Sequence, residues 1–427
     1  MQIEELYRLY RRSDGVSTDT RANRTNRLFF CLKGPNFDAN EFAEEALNKG
    51  AMAVISDDTK NRGKDGVIVV NKSLEALQEL AIRHRKSFSF PVFGLTGSNG
   101  KTTNKELVNA VLTKKYRTYS TKGNLNNHIG VPLTILDIRD DAEFAVIEMG
   151  ANHQGEIQEL SKISDPDYGM ITNIGKAHLE GFGGIEGVKK GKKELFDHIR
   201  AKSAKLFVNG DDEVLMEISE GIERTLFGTD ESFFVRGKIE RSTPTLSFSF
   251  QFEEYESPEI ITRLTGDYNF YNLMAAVCLG KYFEVENTDI ESALAEYIPT
   301  NNRSQVKKTE NNTVILDAYN ANPTSMMAAI ENLSTMASPR KAALLGHMLE
   351  LGSEAKAEHE AVLKKLQELN LDAFLVGKHF KECNPSFPVF DNSEELRDYI
   401  HDNPLKDFQI LVKGSRSVQM EKVIPSL

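Results

Sequence analysis

The stretch that most constrains this chain runs from Pro91 to Leu112, PVFGLTGSNGKTTNKELVNAVL. Val92 to Leu95 predict a buried strand, Thr96 to Gly100 a glycine-rich turn, and Lys101 onward a helix. Glycine reaches positive φ and carries no side chain to block a phosphate. Gly97, Ser98, Asn99 and Gly100 therefore offer backbone N–H groups at a helix start, where the dipole also favours an anion. Lys101 adds a point charge for the β- and γ-phosphates, the Thr102 hydroxyl suits Mg²⁺, and Thr103 follows in the first turn. The strict template G-x-x-x-x-G-K-[ST] asks for glycine at 95, where this chain has Leu95; its glycines fall at 94, 97 and 100. The strand–turn–helix setting reads as a nucleoside-triphosphate site.

A length of 427 residues gives room for two to four domains. Net charge is −11, from 52 basic and 63 acidic residues, which argues against a nucleic-acid partner and requires local positive clusters for anionic ligands. Cys31, Cys278 and Cys383 are far apart and form no C-x-x-C spacing, so a reducing cytoplasm fits and a zinc site does not. The first residues, MQIEELYRLYRRSDG, lack an apolar core of the signal-peptide kind, and no stretch is long enough to span a membrane.

The expected architecture is α/β in three domains, at 1–88, 89–298 and 299–427. In the first, LFFCLK, AMAVIS and VIVV predict short buried strands, and Ser73 is placed to cap the helix LEALQELAIRHRKSF. In the second, FAVIEMG predicts a strand ending at Glu148, where a carboxylate beside the phosphate loop suits Mg²⁺. TKGNLNNHIGVPLTIL reads as an asparagine-rich loop running into an apolar strand. The basic run Lys189 to Lys193 reads as a solvated helix face. Residues 233 to 252 alternate as a β-hairpin. In the third, TVILDAYN, KAALLG, DAFLVG and FQILVKG are strands separated by helical patterns, the signature of a doubly wound parallel sheet. Asp317, Tyr319, Asn320, His347, Lys413 and Arg416 lie at or near their carboxyl ends, where such sheets bind ligands.

GLTGSNGKTT, the EMG ending at Gly150, NNR at 301–303 and DAYNANPTSM together resemble the Mur ligases, ATP-dependent amide ligases of bacterial cell-wall precursor synthesis. TDTR, FFCLKGPNFDAN, KGNLNNHIGVPLTIL, HLEGFG, GDYNFYNLMAA and VKGSRSVQME follow in the family's order, so the resemblance covers nearly the whole chain. DAYNANPTSM with LGHMLELGSEAKAEH is most similar to the branch that joins D-alanyl-D-alanine to UDP-N-acetylmuramoyl-tripeptide. The resemblance implies a small N-terminal α/β domain for the UDP-substrate, a central phosphate-loop ATPase-like domain and a C-terminal Rossmann-like domain. It also implies a soluble cytoplasmic monomer without membrane or nucleic-acid partners.

Residue by residue, the resemblance makes Glu148 and His178 Mg²⁺ ligands, with Thr102 at the first of two metals. Lys192 matches the family lysine that carries a carbamate. Asn126 and Asn127 fall near the γ-phosphate or the substrate, Asn269 and Asn272 near the adenine, and Arg303 near the transferred phosphate. Asp317, Tyr319 and Asn320 would close over the nucleotide, with Lys413 and Arg416 toward the peptide. Thr18, Asp19, Arg21, Lys33 and Asn36 match the UDP-sugar site. Three positions depart from the family pattern: Tyr268 stands for histidine, FDAN at 37–40 replaces Asp-Gly-His, and His347 stands where aspartate is common. The rival readings are another amide ligase of this fold, such as a folylpolyglutamate synthetase, a phosphate-loop ATPase acting as a switch, and a non-catalytic nucleotide-binding module, against which intact Lys101, Thr102, Glu148 and His178 weigh.

Overall fold

A computed structural model describes residues 2–21, 25–300 and 302–427; Asn301 of the NNR motif lies outside the described residues. Three main sheets succeed one another along the chain. The first is parallel, with Val16–Ser17, Leu28–Phe30, Ala53–Ser56 and Val67–Val69 in spatial order. These short strands are apolar because both faces are covered. The helix Ser73–Arg85 packs on one face, burying Leu77, Leu80 and Ala81.

The second sheet has ten strands, with Val92–Thr96 near the middle of its parallel part. Phe144–Glu148 pairs with it on one side and Tyr168–Ile171 on the other. The register sets Leu95 opposite Glu148, so the acid and the phosphate loop leave the same sheet edge. Beyond Arg224–Gly228 the sheet continues through Val235–Arg241 and turns antiparallel at Ser247–Phe252, the expected hairpin. The helix Phe270–Tyr282, apolar nearly all round, is buried between this sheet and the phosphate-loop helix Lys101–Leu112.

The third sheet has six strands in the order Gln305–Lys308, Thr313–Asp317, Gln409–Lys413, Lys341–Gly346, Asp372–Val376 and Val389–Phe390. All pairs are parallel except the first. The last long strand therefore lies inside the sheet, between the earlier Thr313–Asp317 and Lys341–Gly346.

Three expectations require correction. GVPLTIL is not a strand but the start of the helix Gly130–Asp137. Asn127 Oδ1 accepts from the N–H groups of Ile129 at 3.1 Å and Gly130 at 2.8 Å, satisfying donors that a helix start leaves open. Pro132 falls in the first turn, where its missing N–H costs nothing. Ser73 is the first helical residue rather than the cap, and its hydroxyl donates to the Ile55 carbonyl. The basic run is only partly solvated: Lys189 and Lys193 pair with Glu217 and Asp197, whereas Lys192 is 1% exposed. It sits at a period shared with Val188, Leu195 and Ile199, the buried face of the helix Ile185–Ala201.

Candidate active site

The strand Val92–Thr96 hands over to the helix Lys101–Leu112 through Gly97 at φ +147° and Gly100 at φ +76°. Gly97 lies so close to the neighbouring turn that a Cβ would stand 1.9 Å from Thr172 Oγ1. Position 95 is still within the strand and fully buried, so the template's first glycine has no task there. Asn173, from the turn after Tyr168–Ile171, braces the loop: its carbonyl accepts from Ser98 N–H and its Oδ1 from Asn99 N–H, both at 3.0 Å. Ser98 Oγ and the Gly175 backbone exchange two hydrogen bonds at 2.9 Å.

This loop forms one wall of a cleft of about 650 Å³. Lys101 is curled back on the loop, its Nζ donating to the Gly97 carbonyl at 2.7 Å; burial lowers its pKa to about 8, with Glu148 opposing the shift. Glu148 is 1% exposed. Its Oε1 accepts from Asn126 Nδ2 at 2.7 Å and Thr102 Oγ1 at 3.2 Å, while Oε2 has no partner. A buried carboxylate oxygen left bare is costly unless a cation meets it. The residues therefore fit a divalent ion beside Thr102. Lys192 is buried, and among the described residues no acid pairs with it; its Nζ has the Ala151 carbonyl at 3.3 Å and the Phe182 ring at 5.1 Å. Burial first, then the charge of Lys101, hold its pKa well below the usual lysine range. A lowered pKa favours the neutral amine, and it is the neutral amine that can take up CO₂. His178 reaches the cleft but bonds through Nδ1 to Glu350. Among the described residues no three His, Cys, Asp or Glu converge as a ready-made metal cage.

Across the cleft, Arg303 lies 3.6 Å over the Tyr319 ring. Asp317 pairs with the buried Lys413, whose Nζ also reaches the Asn320 carbonyl at 3.4 Å. Tyr268 is half-buried, its hydroxyl 3.2 Å from Ser304 Oγ, and desolvation pushes its pKa up. Asn269 and Asn272 link through a 2.9 Å bond at the same end, and Asn272 accepts from Asn104. Two segments meet directly here. Asn322 Nδ2 donates to Asn99 Oδ1 at 2.7 Å, Lys176 N–H to Thr324 Oγ1 at 3.0 Å, and Lys176 pairs with Glu358 at 2.5 Å.

The expected residues divide unevenly. Ser98 to Thr103, Asn126, Asn127, Glu148, His178, Asn269, Asn272, Arg303, Asp317, Tyr319, Asn320 and Lys413 all line the cleft. Lys192 lies behind it, and Arg416 instead donates to Glu421 at 2.8 Å on the surface. Thr18 and Asp19 open onto a second cavity of about 420 Å³ between the first and central sheets. Its other wall carries Tyr119, Lys122 and Thr134, with Arg27 alongside, residues the sequence did not single out. Arg21 is bound to Asp19 at 2.7 Å, and Lys33 to Asp57 at 3.2 Å, while Asn36 is exposed; none of the three lines either cavity. Asn40, the last residue of FDAN, is a buried hub bonded to Asp38, Asp57 and Ser56.

Comparison with known proteins agrees with this architecture. The profile of the Mur ligase middle domain matches residues 95–280, and that of the Mur ligase glutamate ligase domain matches 302–416. The chain is 34% identical to the UDP-N-acetylmuramoyl-tripeptide--D-alanyl-D-alanine ligase of Bacillus subtilis, over 97% of this chain and 93% of that protein. It is also 34% identical to the Escherichia coli enzyme of the same name, with the same coverage of both chains. Among solved structures, MurF from Acinetobacter baumannii superposes with a TM-score of 0.87 at 30% identity, covering 98% of this chain and 97% of that one. MurF from Thermotoga maritima in complex with ADP gives 0.86 at 28%, with the same coverage.

Proposed function

The chain belongs to the Mur ligase family, and we propose that it joins D-alanyl-D-alanine to UDP-N-acetylmuramoyl-tripeptide, converting ATP to ADP and phosphate. The observation that carries the site reading is the convergence of Lys101, Arg303 and Lys413, from two segments, on the cleft that holds the bare oxygen of Glu148.

A carboxylate is a poor acyl donor, because its leaving group would be oxide. Transfer of the γ-phosphoryl group to the tripeptide carboxylate gives an acyl phosphate, which the amine of D-alanyl-D-alanine attacks with loss of phosphate. Two anions must first approach each other. Lys101 and the N–H groups of Gly100 to Thr103 hold the β- and γ-phosphates, those of Ser98 and Asn99 being taken by Asn173, and Arg303 faces the transferred phosphoryl group. Thr102, Glu148, His178 and a carbamate on Lys192 would hold two Mg²⁺ ions, which supply Lewis-acid charge against the repulsion. Asn269 and Asn272 receive the adenine, with Asp317, Tyr319 and Asn320 closing over the nucleotide. Asn126 and Asn127 lie on the γ-phosphate and substrate side of the cleft. Asn127 also caps the helix Gly130–Asp137, so its loss would move that wall.

The division of labour follows the three segments, 1–88, 89–298 and 299–427. The UDP-sugar falls to the cavity at Thr18 and Asp19, with Arg21, Lys33 and Asn36 assigned to it by the family pattern, and the peptide end to Lys413 and Arg416. No described helix is long and apolar enough to cross a membrane. A monomer is the form this reading gives the enzyme, since one chain carries every residue named, and the widely spaced Cys31, Cys278 and Cys383 fit a reducing cytoplasm. Phosphate release with ATP and UDP-N-acetylmuramoyl-tripeptide, measured with and without D-alanyl-D-alanine, tests the function. Release that requires both co-substrates is expected; equal release with ATP alone would make the protein an ATPase.

A further inference from the structure

His178 and Glu350 come from different segments and meet at the edge of the cleft. Glu350 sits in the turn between the strand Lys341–Gly346 and the helix Ala355–Glu368, within GHMLELG. That turn is fixed from behind. Leu349 N–H donates to Ser415 Oγ at 3.1 Å, and Met348 N–H to His359 Nε2 at 3.0 Å. From the front, Glu180 N–H donates to the Glu350 carbonyl at 3.2 Å, and Gly352 packs so close that a Cβ there would touch Glu180 Cβ at 3.3 Å. Both partners hold left-handed backbone, His178 at φ +53° and Glu350 at φ +62°. Non-glycine residues adopt it at a cost, and it persists where surrounding contacts impose it.

We propose that Glu350 is a positioning residue for His178, holding Nδ1 as the protonated nitrogen so that Nε2 presents its lone pair to the cleft. A ring bonded to a carboxylate through one nitrogen has its tautomer and its plane set for a ligand at the other. The inference rests on the reading of His178 as a metal ligand. It adds that the orienting group arrives from the opposite segment, so that the central segment alone lacks it. An exposed ion pair of no consequence would also place these atoms together, but it would not control which nitrogen carries the proton.

The test uses the full chain with Mn²⁺ as probe and a non-hydrolysable ATP analogue, following bound Mn²⁺ by electron paramagnetic resonance. The His178 tautomer is read from imidazole ¹⁵N resonances, assigned with His178→Ala. Glu350→Ala should weaken Mn²⁺ binding by roughly tenfold or more and lose the Nδ1–H tautomer, since removing such a partner commonly weakens metal binding 10- to 100-fold. Glu350→Gln keeps an acceptor and should recover the tautomer and most of the affinity. Wild-type Mn²⁺ affinity in Glu350→Ala, with binding lost in His178→Ala, would overturn the proposal and leave the metal reading standing. Unchanged binding in His178→Ala removes that reading and the proposal with it. An Nε2–H tautomer in the wild-type protein also refutes it, without recourse to any variant.

Discussion

Gly97→Ala probes the phosphate loop through sterics alone. The new Cβ would meet Thr172 Oγ1 at 1.9 Å and the Thr172 backbone nitrogen at 2.9 Å. The side-chain clash can be relieved by rotating Thr172, which breaks its 2.5 Å bond to the Asn99 carbonyl and loses about 1 kcal/mol. The backbone contact and the φ of +147° cannot be relieved without moving the loop, and holding alanine there costs on the order of 1–3 kcal/mol. The sum is about 2–4 kcal/mol. If the loop shifts to escape it, the penalty returns when nucleotide requires the original shape, and ADP affinity should fall by roughly 30- to 1000-fold. If the loop stays, the same energy is lost from stability and lowers the urea midpoint. Calorimetric titration with ADP and urea unfolding together capture both routes. In a Thr172→Ala background, where that bond is already gone, Gly97→Ala should cost only about 1 kcal/mol less than in the wild type, because the backbone contact remains. ADP affinity within threefold of wild type, at an unchanged midpoint, would refute the steric reasoning.

Lys101→Ala and Glu148→Ala should each lower ligation by on the order of 10³-fold or more while leaving the thermal transition in place, judged from loss of one positioned charge in phosphoryl transfer; near-normal turnover would remove the residue from the catalytic set. Lys192→Ala should be inactive and partly restored by a short carboxylate, and intact-mass or crystallographic measurement of an unmodified lysine in fully active enzyme would end the carbamate assignment. His84 is 2% exposed, its Nε2 donating to the Ile138 carbonyl at 3.0 Å, and burial lowers its pKa. The folded state then binds fewer protons than the unfolded one, so stability should fall as pH drops through 6.5, by at most about 1.4 kcal/mol per unit, and level off below the folded pKa. Urea unfolding of His84→Gln should lack that component; parallel pH profiles for the two proteins would refute it. Solution scattering should give a smaller radius of gyration with an ATP analogue and UDP-tripeptide bound than without, and an unchanged radius with both bound would mean the segments are already fully closed.

The parts of the fold that were legible are those where local chemistry and burial agree. Val92–Thr96, Phe144–Glu148 and Lys341–Gly346 are buried on both faces and read as short apolar runs ending in turn formers. Gly130–Asp137 misled because a short apolar run has no period of its own; Asn127 before it and Pro132 within it were the helix signals. The edge strands Gln305–Lys308 and Val389–Phe390 were missed because a mostly exposed or two-residue strand carries little hydrophobic pattern. The phosphate loop and Glu148 could be found from spacing, since both act within a few residues of their strands. Asn173, Tyr119, Lys122 and Glu350 could not, because each matters through a partner distant in sequence. Lys192 lay in between: Val188, Leu195 and Ile199 share its helix face, so periodicity pointed inward while the neighbouring charges suggested solvent.

The place of Gln409–Lys413 inside the third sheet bears on how the enzyme comes into being. Synthesis proceeds from the N-terminus, and domains tend to fold as they emerge. The first two sheets can complete themselves early, because all their strands lie before residue 262. The third cannot: until Gln409–Lys413 has been made, Thr313–Asp317 and Lys341–Gly346 have no neighbour to bridge them, and Asp317 has no Lys413. A nascent chain thus carries the glycine-rich loop well before it has the wall that faces it across the cleft. The order of translation keeps the loop side of the cleft apart from its opposite wall until Gln409–Lys413 has been made.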